Sequence, residues 1–356
     1  MRIILLADIN STHIKRWATS LAERKVEVGI YSLSVPSENW YERYGIRLLS
    51  PAHETSVPKW RYFLYAKNLK ASIALFKPDI VHAHYATSYG LLLRRSGFHP
   101  GILSVWGSDV FVFPKKYFFG RFLLRRNLNY PDCIQATGIV LKNETNKYID
   151  RPVSVIAFGV DTVFFKPADN KDDSKVDISI AKSLEKTYGI DLLIDVFYEL
   201  KKTHKNIFLN IAGDGTMKET YIRKVKELEL NHSVSFMGQL TREQVAELYA
   251  SSDIAVFLSV TESFGVSVIE ASACGVAVVC SSVGGHKEVV KNEETGYLVD
   301  RNQKQEIIEK LNNLIENKAL RQTMGAAGRK FVIEKFEWKK CVDEQLEVYS
   351  ALLNKK

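Results

Sequence analysis

Two glutamates, Glu262 and Glu270, are separated by seven residues in ESFGVSVIE, between two apolar runs rich in β-branched residues. The runs Ile254–Val260 and Val276–Cys280 are expected as buried strands, and Gly265–Cys274 has the length and composition of a short helix. A strand–loop–helix–strand unit of this kind brings Phe264, Gly265, Val266 and Ser267 to a helix N-terminus. There, N–H groups without intrahelical partners and the helix dipole favour an anion such as a diphosphate. Glu270, about a turn and a half into the helix, is positioned to accept hydrogen bonds from ribose hydroxyls. Glu262 lies past the carboxyl end of the strand, where open α/β sheets bind their ligands. The two glutamates also read as solvated surface charges. Against that stand the apolar flanks and a second glycine-led helix start, Gly284-Gly285-His286-Lys287-Glu288, aimed at the same place.

The run ESFGxxxxEAxAxG followed by GGxxE resembles the retaining nucleotide-sugar glycosyltransferases of family 4. The resemblance implies an α/β chain with the GT-B fold, two Rossmann-like doubly wound domains facing a cleft. The first would span 1–165, with a C-terminal helix, 338–356, crossing back to it, and the second 166–337. It further implies that Glu262 faces the donor sugar as a catalytic residue and that Glu270 holds the donor ribose. The implied reaction moves a sugar, most often from a UDP-linked donor, to a glycan or lipid-linked acceptor with retention at the anomeric carbon, in cell-surface polysaccharide synthesis. The nucleotide sugar is then a co-substrate and no cofactor is expected. No Asp-x-Asp triplet occurs, so no divalent metal is expected either, and lysines and helix N-termini must neutralise the leaving group.

Other elements must position these groups. Arg2–Asp8 reads as a first strand, followed by the loop Ile9–His13 and a helix from Ile14, a β-loop-α opening that places His13 and Arg16 at a ligand edge. The strand Asp79–Ala83 ends in His82-Ala83-His84. Two histidines two apart on a strand face one way, but no third metal ligand is near in sequence. By resemblance, His84 lies on the acceptor side. Gly101–Trp106 runs into Gly107-Ser108-Asp109, similar to the family's T-x-H-G-x-D. Trp106 takes the histidine's position and offers a stacking face on the acceptor side, and Asp109 matches as a catalytic residue. Phe158-Gly159-Val160-Asp161 and Phe165-Lys166-Pro167 resemble the segment that ends the first domain, and the polar stretch Lys166–Asp177 reads as the linker. Past the strand Val176–Ala181, Lys182 and Lys186 stand near the family's Arg and Lys diphosphate clamp, as a shifted clamp or as exposed lysines. Gly213 and Gly215 follow another strand on the donor side. Lys218 replaces the third glycine of a dinucleotide fingerprint, which argues against an NAD-linked oxidoreductase. Thr241 is expected to cap a helix reaching Ala250.

The net charge of +8 points to an anionic partner. The most unusual stretch outside the glutamate block is FVFPKKYFFGRFLLRRNLNY, Phe111–Tyr130, expected as a helix with basic residues on one side and aromatic ones on the other. Over 115–126 this suits an anionic membrane surface, and equally an apolar side packed in the core with a solvated basic side. No apolar stretch approaches 18 residues, and the brief run before Asp8 is too short for a signal-peptide core. Cys133, Cys274, Cys280 and Cys341 lack metal spacing and read as buried thiols in a reducing compartment, so a cytoplasmic protein is expected, peripheral at the inner face of the plasma membrane. A nucleotide-sugar epimerase of GT-B shape would share the nucleotide half without an acceptor site. Nucleic acid is not expected as a partner, since a basic binder of that kind has no use for Glu262 and Glu270 in a crevice.

Overall fold

In a computed structural model, which describes residues 1–51, 57–168, 171 and 174–354, the chain divides into two units. One comprises Met1–Phe158 with the C-terminal residues from Lys340, the other Gly159–Lys339.

The first unit is built on seven strands: β1 (Arg2–Leu6), β2 (Glu27–Tyr31), β3 (Arg47–Leu48), β4 (Ile80–His84), β5 (Gly101–Val105), β6 (Cys133–Ala136) and β7 (Val153–Val155). All neighbouring pairs are parallel, in the order β3-β2-β1-β4-β5-β6-β7. Helices cover both faces of such a sheet, which is why the central strands read as continuous apolar runs: Ile3 to Leu6 are fully buried. Strand order reverses between β1 and β4, and ligands of doubly wound sheets bind outside the carboxyl ends of strands at such a point. The helix Thr12–Glu23 starts where the Ser11 hydroxyl accepts from the Ile14 N–H, and it buries Ile14, Trp17, Ala18 and Leu21 along one stripe. The C-terminal helix Trp338–Leu353 completes the unit. Its Tyr349 hydroxyl sits 2.8 Å from Nδ1 of His82 on β4, and Asp343 pairs with Arg24 at 2.9 Å.

The second unit has six parallel strands, β8 (Val176–Ala181), β9 (Ile207–Ala212), β10 (Val234–Gly238), β11 (Ile254–Phe257), β12 (Ala277–Ser281) and β13 (Gly296–Val299), in the order β10-β9-β8-β11-β12-β13. Its reversal lies between β8 and β11, paired at Ile178–Ile254. Thr241 caps the helix Arg242–Ser251 as expected, in a reciprocal box with Gln244.

The division falls earlier than the polar stretch after Phe165, of which residues 169, 170, 172 and 173 lie outside the described residues. Main-chain bonds explain the difference. Val160 N–H donates to Phe336 O (2.8 Å), Trp338 N–H donates to Val160 O (2.9 Å), and the Arg329 guanidinium donates to the carbonyls of Thr162, Phe165 and Ala273. Residues 159–165 are thus tied into the second unit.

Lys59–Tyr65 is a 3-10 turn leading into the helix Ala66–Phe76, and one expected helix is broken. Phe111–Tyr130 is not one helix: Ser108–Phe111, Phe113–Lys116 and Gly120–Leu128 are separate, with Tyr117 extended between the last two. The chain folds back tightly there, since a Cβ on Gly120 would lie 2.6 Å from Phe113 O.

Candidate active site

Lys182 directly follows β8 and Glu262 lies just past β11, so the strand reversal brings them together although 80 residues separate them. Lys182 Nζ donates to Glu262 Oε2 at 2.7 Å, with both side chains largely out of solvent (14% and 12% exposed), and it also sits 4.7 Å from the centre of the Tyr188 ring. Burial alone would raise the Glu262 carboxyl. The Lys182 ammonium and the Ser263 N–H, with His286 only where that ring is protonated, outweigh it and hold the group below the ordinary glutamate value.

His286 is the third member of the cluster and did not figure among the expected site residues. Its Nδ1 lies 3.0 Å from Ser281 O, a carbonyl that only accepts, so Nδ1 carries the proton. Nε2 is then an acceptor. It is buried, has no hydrogen-bond partner among the described residues, and lies 4.0 Å from Glu262 Oε2. Burial pushes the imidazole below its usual pKa and Lys182 adds to this, against Glu262 and Ser281 O. The ring is therefore neutral near pH 7, with its lone pair beside the carboxylate. The one available signal was its place after the glycine pair.

The glycines do something other than expected. Gly285 N–H donates to Glu262 O (2.9 Å), and a Cβ on Gly284 would lie 1.9 Å from that oxygen. The pair lets the loop after β12 lie directly on the backbone of Glu262 and Phe264. The helix it opens, His286–Val289, is a single turn and offers no second anion cradle. Gly213 and Gly215 likewise serve packing: Cβ atoms there would meet Lys182 O at 1.9 Å and Leu184 O at 2.6 Å. Their N–H groups go to Gly238 O and to the Asp214 side chain, not to a ligand. They hold the β9 loop against the loop that carries Lys182.

The helix Val266–Ala273 begins at Gly265, whose φ of 110° suits glycine. Gly265 O takes the N–H groups of Val268 and Ile269, while those of Val266 and Ser267 point out of the first turn with no intrahelical partner. Val268, Ile269 and Ala271 to Ala273 are buried, leaving Val266, Ser267 and Glu270 as the accessible face. The N–H groups at the helix start and a carboxylate one turn on thus share one surface. The Phe264 side chain is buried edge-to-face on Phe336 at 5.5 Å, so this residue offers the site only its backbone, the role its place before the helix implies. Lys186 is exposed, and no hydrogen bond or ion pair joins it to the Lys182–Glu262 cluster.

In the first unit the residues expected on the acceptor side gather at the strand ends. His13 stacks on Phe158 at 4.3 Å, Trp106 meets both at 5.8 and 5.4 Å, and His84 meets Trp106 at 5.4 Å. His84 is buried, however, with neither ring nitrogen partnered among the described residues, and burial lowers its pKa to about 3. It forms the floor of the aromatic nest, not an open wall. Arg16, half-buried, lies one turn along the helix from His13. Asp109 is the clearest correction. It is fully buried, and its carboxylate accepts from the N–H groups of Ala86 (2.7 Å), Gly107 (2.8 Å) and Trp106 (3.2 Å). Asp109 fixes the β4 and β5 loops and positions Trp106, and with no exposed surface its carboxylate is not open to substrate in this structure. Among the described residues no group of three His, Cys, Asp or Glu side chains converges as metal ligands.

Residues 162–331 match the family described as glycosyl transferases group 1, and residues 2–138 match the glycosyl transferase 4-like family. An uncharacterized glycosyltransferase of Methanocaldococcus jannaschii is 29% identical over 77% of this chain and 76% of its own length. The N-acetyl-alpha-D-glucosaminyl L-malate synthase of Bacillus anthracis is 26% identical over 85% and 84%. Among solved structures, sucrose-phosphate synthase from Thermosynechococcus elongatus superposes with a TM-score of 0.86 at 19% identity, over the full length of both chains. Anabaena HepE in complex with UDP-glucose superposes with a TM-score of 0.77 at 16% identity, over 99% of this chain and all of that one.

Proposed function

This chain belongs to the group 1 glycosyl transferases and has their GT-B fold, and we propose that it is a retaining, metal-independent enzyme that moves a sugar from a UDP-sugar to a glycan or lipid-linked acceptor. The observation that carries the reading is the Lys182–Glu262–His286 cluster at the strand reversal, next to the open start of the helix Val266–Ala273. In this reading the diphosphate takes the Val266 and Ser267 N–H groups and the ribose hydroxyls donate to Glu270. Lys182 neutralises charge on the departing diphosphate, a preorganised electrostatic contribution that needs no ion. Glu262, ionised and able only to accept, orients sugar hydroxyls, and the His286 Nε2 lone pair accepts from another. Two similar proteins support a sugar-handling site: the structural neighbour HepE is solved with UDP-glucose, and the Bacillus anthracis relative is by its name an N-acetyl-alpha-D-glucosaminyl L-malate synthase.

A thermal-shift panel of nucleotide sugars, run in the presence of a chelator, tests the donor and metal assignments together. A ligand at a hundred times its dissociation constant adds about 2.7 kcal/mol, so a UDP-sugar is expected to raise the melting temperature of the second unit by about 5–10 °C. No stabilisation by any nucleoside diphosphate sugar would contradict the reading, and stabilisation only on adding a divalent ion would contradict its metal-independent part. The anomeric configuration of the product, read by proton NMR, tests retention.

A further inference from the structure

Residues 112–130 contain five basic side chains and no acidic one. They fold into two short helices whose outward surface is aromatic: Phe118 is 107% exposed, Phe122 64% and Phe119 58%, with Tyr117 and Val112 beside them. Exposing contiguous aromatic rings costs free energy in water, and a soluble chain rarely keeps such a patch unless something covers it. The core explains only part of the segment. Leu124 and Leu128 are buried and anchor the helix Gly120–Leu128, while Arg121, Phe122, Arg125 and Arg126 form its outer face.

Between that face and the helix Tyr89–Ser96 runs an open groove of about 870 Å³ lined by Arg94, Arg121, Arg125 and Arg126 together with Phe118 and Phe122. Among the described residues no carboxylate forms an ion pair with any of these four arginines. The Arg94 guanidinium is held below its ordinary pKa by burial and by the like charges of Arg126 and Arg95. Four guanidinium groups without a carboxylate partner, with Arg121 over the Tyr148 ring and Arg126 over that of Phe122, surround one groove edged by exposed phenylalanines, a surface built for phosphate and hydrocarbon at once.

We propose that this face of the first unit seats on an anionic phospholipid bilayer, with lipid phosphates in the arginine groove and Phe118, Phe119 and Phe122 in the acyl boundary. The charge decides the occupant. An uncharged hydrophobic partner leaves the arginines unanswered, and a soluble anion leaves the rings in water. The mount is rigid: Asn127 accepts from Arg94 Nε (3.0 Å) and donates to Ala86 O (2.9 Å), and Ala86 N–H is held by Asp109. The seat is therefore tied by hydrogen bonds to the loop after β4. The inference stands on surface chemistry and does not need the donor assignment.

Sedimentation of the full chain with sucrose-loaded vesicles tests it. Binding to vesicles of phosphatidylcholine with phosphatidylglycerol is expected to be at least about ten-fold tighter than to phosphatidylcholine alone, and to fall as salt is raised. Arg121→Gln with Arg125→Gln is expected to weaken it by about 25-fold, about five-fold per cation near an anionic surface. Phe118→Ser with Phe122→Ser is expected to weaken it by at least about ten-fold. All four side chains are exposed, so the melting temperature should hold. Absent binding, equal binding to both vesicle types, or unchanged binding by both variants would overturn the proposal. So would protection by inorganic phosphate or glycerol phosphate without vesicle binding, which indicates a free-anion site. A wild-type dimer that the phenylalanine variant dissolves, again without vesicle binding, indicates self-association instead.

Discussion

Glu262 and Lys182 depend on each other before any ligand arrives. Truncating one leaves the other charge in a site where each side chain is less than 15% exposed, and breaking a pair of this kind costs about 3 kcal/mol. Lys182→Met is expected to lower the melting temperature of the second unit by about 8 °C and to abolish turnover. The double variant with Glu262→Gln should be more stable than Lys182→Met alone, and a double variant that simply sums the two losses would refute the coupling. Proton linkage provides a second prediction. His82, His84 and His286 are buried with pKa values depressed chiefly by burial, His84 to about 3. A depressed folded-state value means that the unfolded chain binds the extra proton, so stability is full above about pH 6.5 and falls as pH drops below it. The slope is about 1.4 kcal/mol per pH unit for each histidine. Denaturant unfolding of the first unit at pH 7.5 and 5.5 should show this, His84→Phe should reduce it, and an unchanged slope in that variant would contradict the assignment. The glutamate spacing was readable because it lies within one strand–helix unit. The Lys182 partnership, the burial of Asp109 and the proton position on His286 were not, because each is set by residues far away in sequence.

Elements place these side chains through close loop contacts, and glycines permit the contacts. Gly284 and Gly238 both have φ above +40°, but a Cβ on Gly284 would meet Glu262 O at 1.9 Å whereas nothing lies within 4 Å at Gly238. Gly238→Ala should therefore cost only the left-handed backbone penalty, about 1–2 kcal/mol. Gly284→Ala must also push the Glu262 loop away, and is expected to lower donor affinity by at least about ten-fold as well as to destabilise further. Equal effects of the two substitutions on donor affinity would contradict the packing role. Secondary structure was legible where apolar runs had one period, as in β1, β11 and β12. It failed at Phe111–Tyr130, where amphipathic spacing suggested one helix. The spacing there holds only within Gly120–Leu128; Pro114, the extended Tyr117 and the tight approach at Gly120 break the rest.

At the scale of the whole molecule, the two doubly wound domains and the place of the C-terminal helix in the first unit were expected by resemblance, while the 3-2-1-4 strand order was not legible in the sequence. The helix's contribution is concrete: Tyr349 on His82 and Asp343 on Arg24. Truncation before Lys340 is expected to raise amide exchange in β1 and β4 while leaving β8 and β11 protected, and uniform loss across both sheets would refute that division. The proposed function requires that the second unit hold a nucleotide sugar through Glu270 and the start of its helix. Calorimetric titration of a UDP-sugar into the wild type and into Glu270→Ala, with chelator present, tests this most directly. We expect saturable binding to the wild type and at least about ten-fold weaker binding to the variant, a loss of about 1.4 kcal/mol or more. Equal affinity for both proteins would contradict the account.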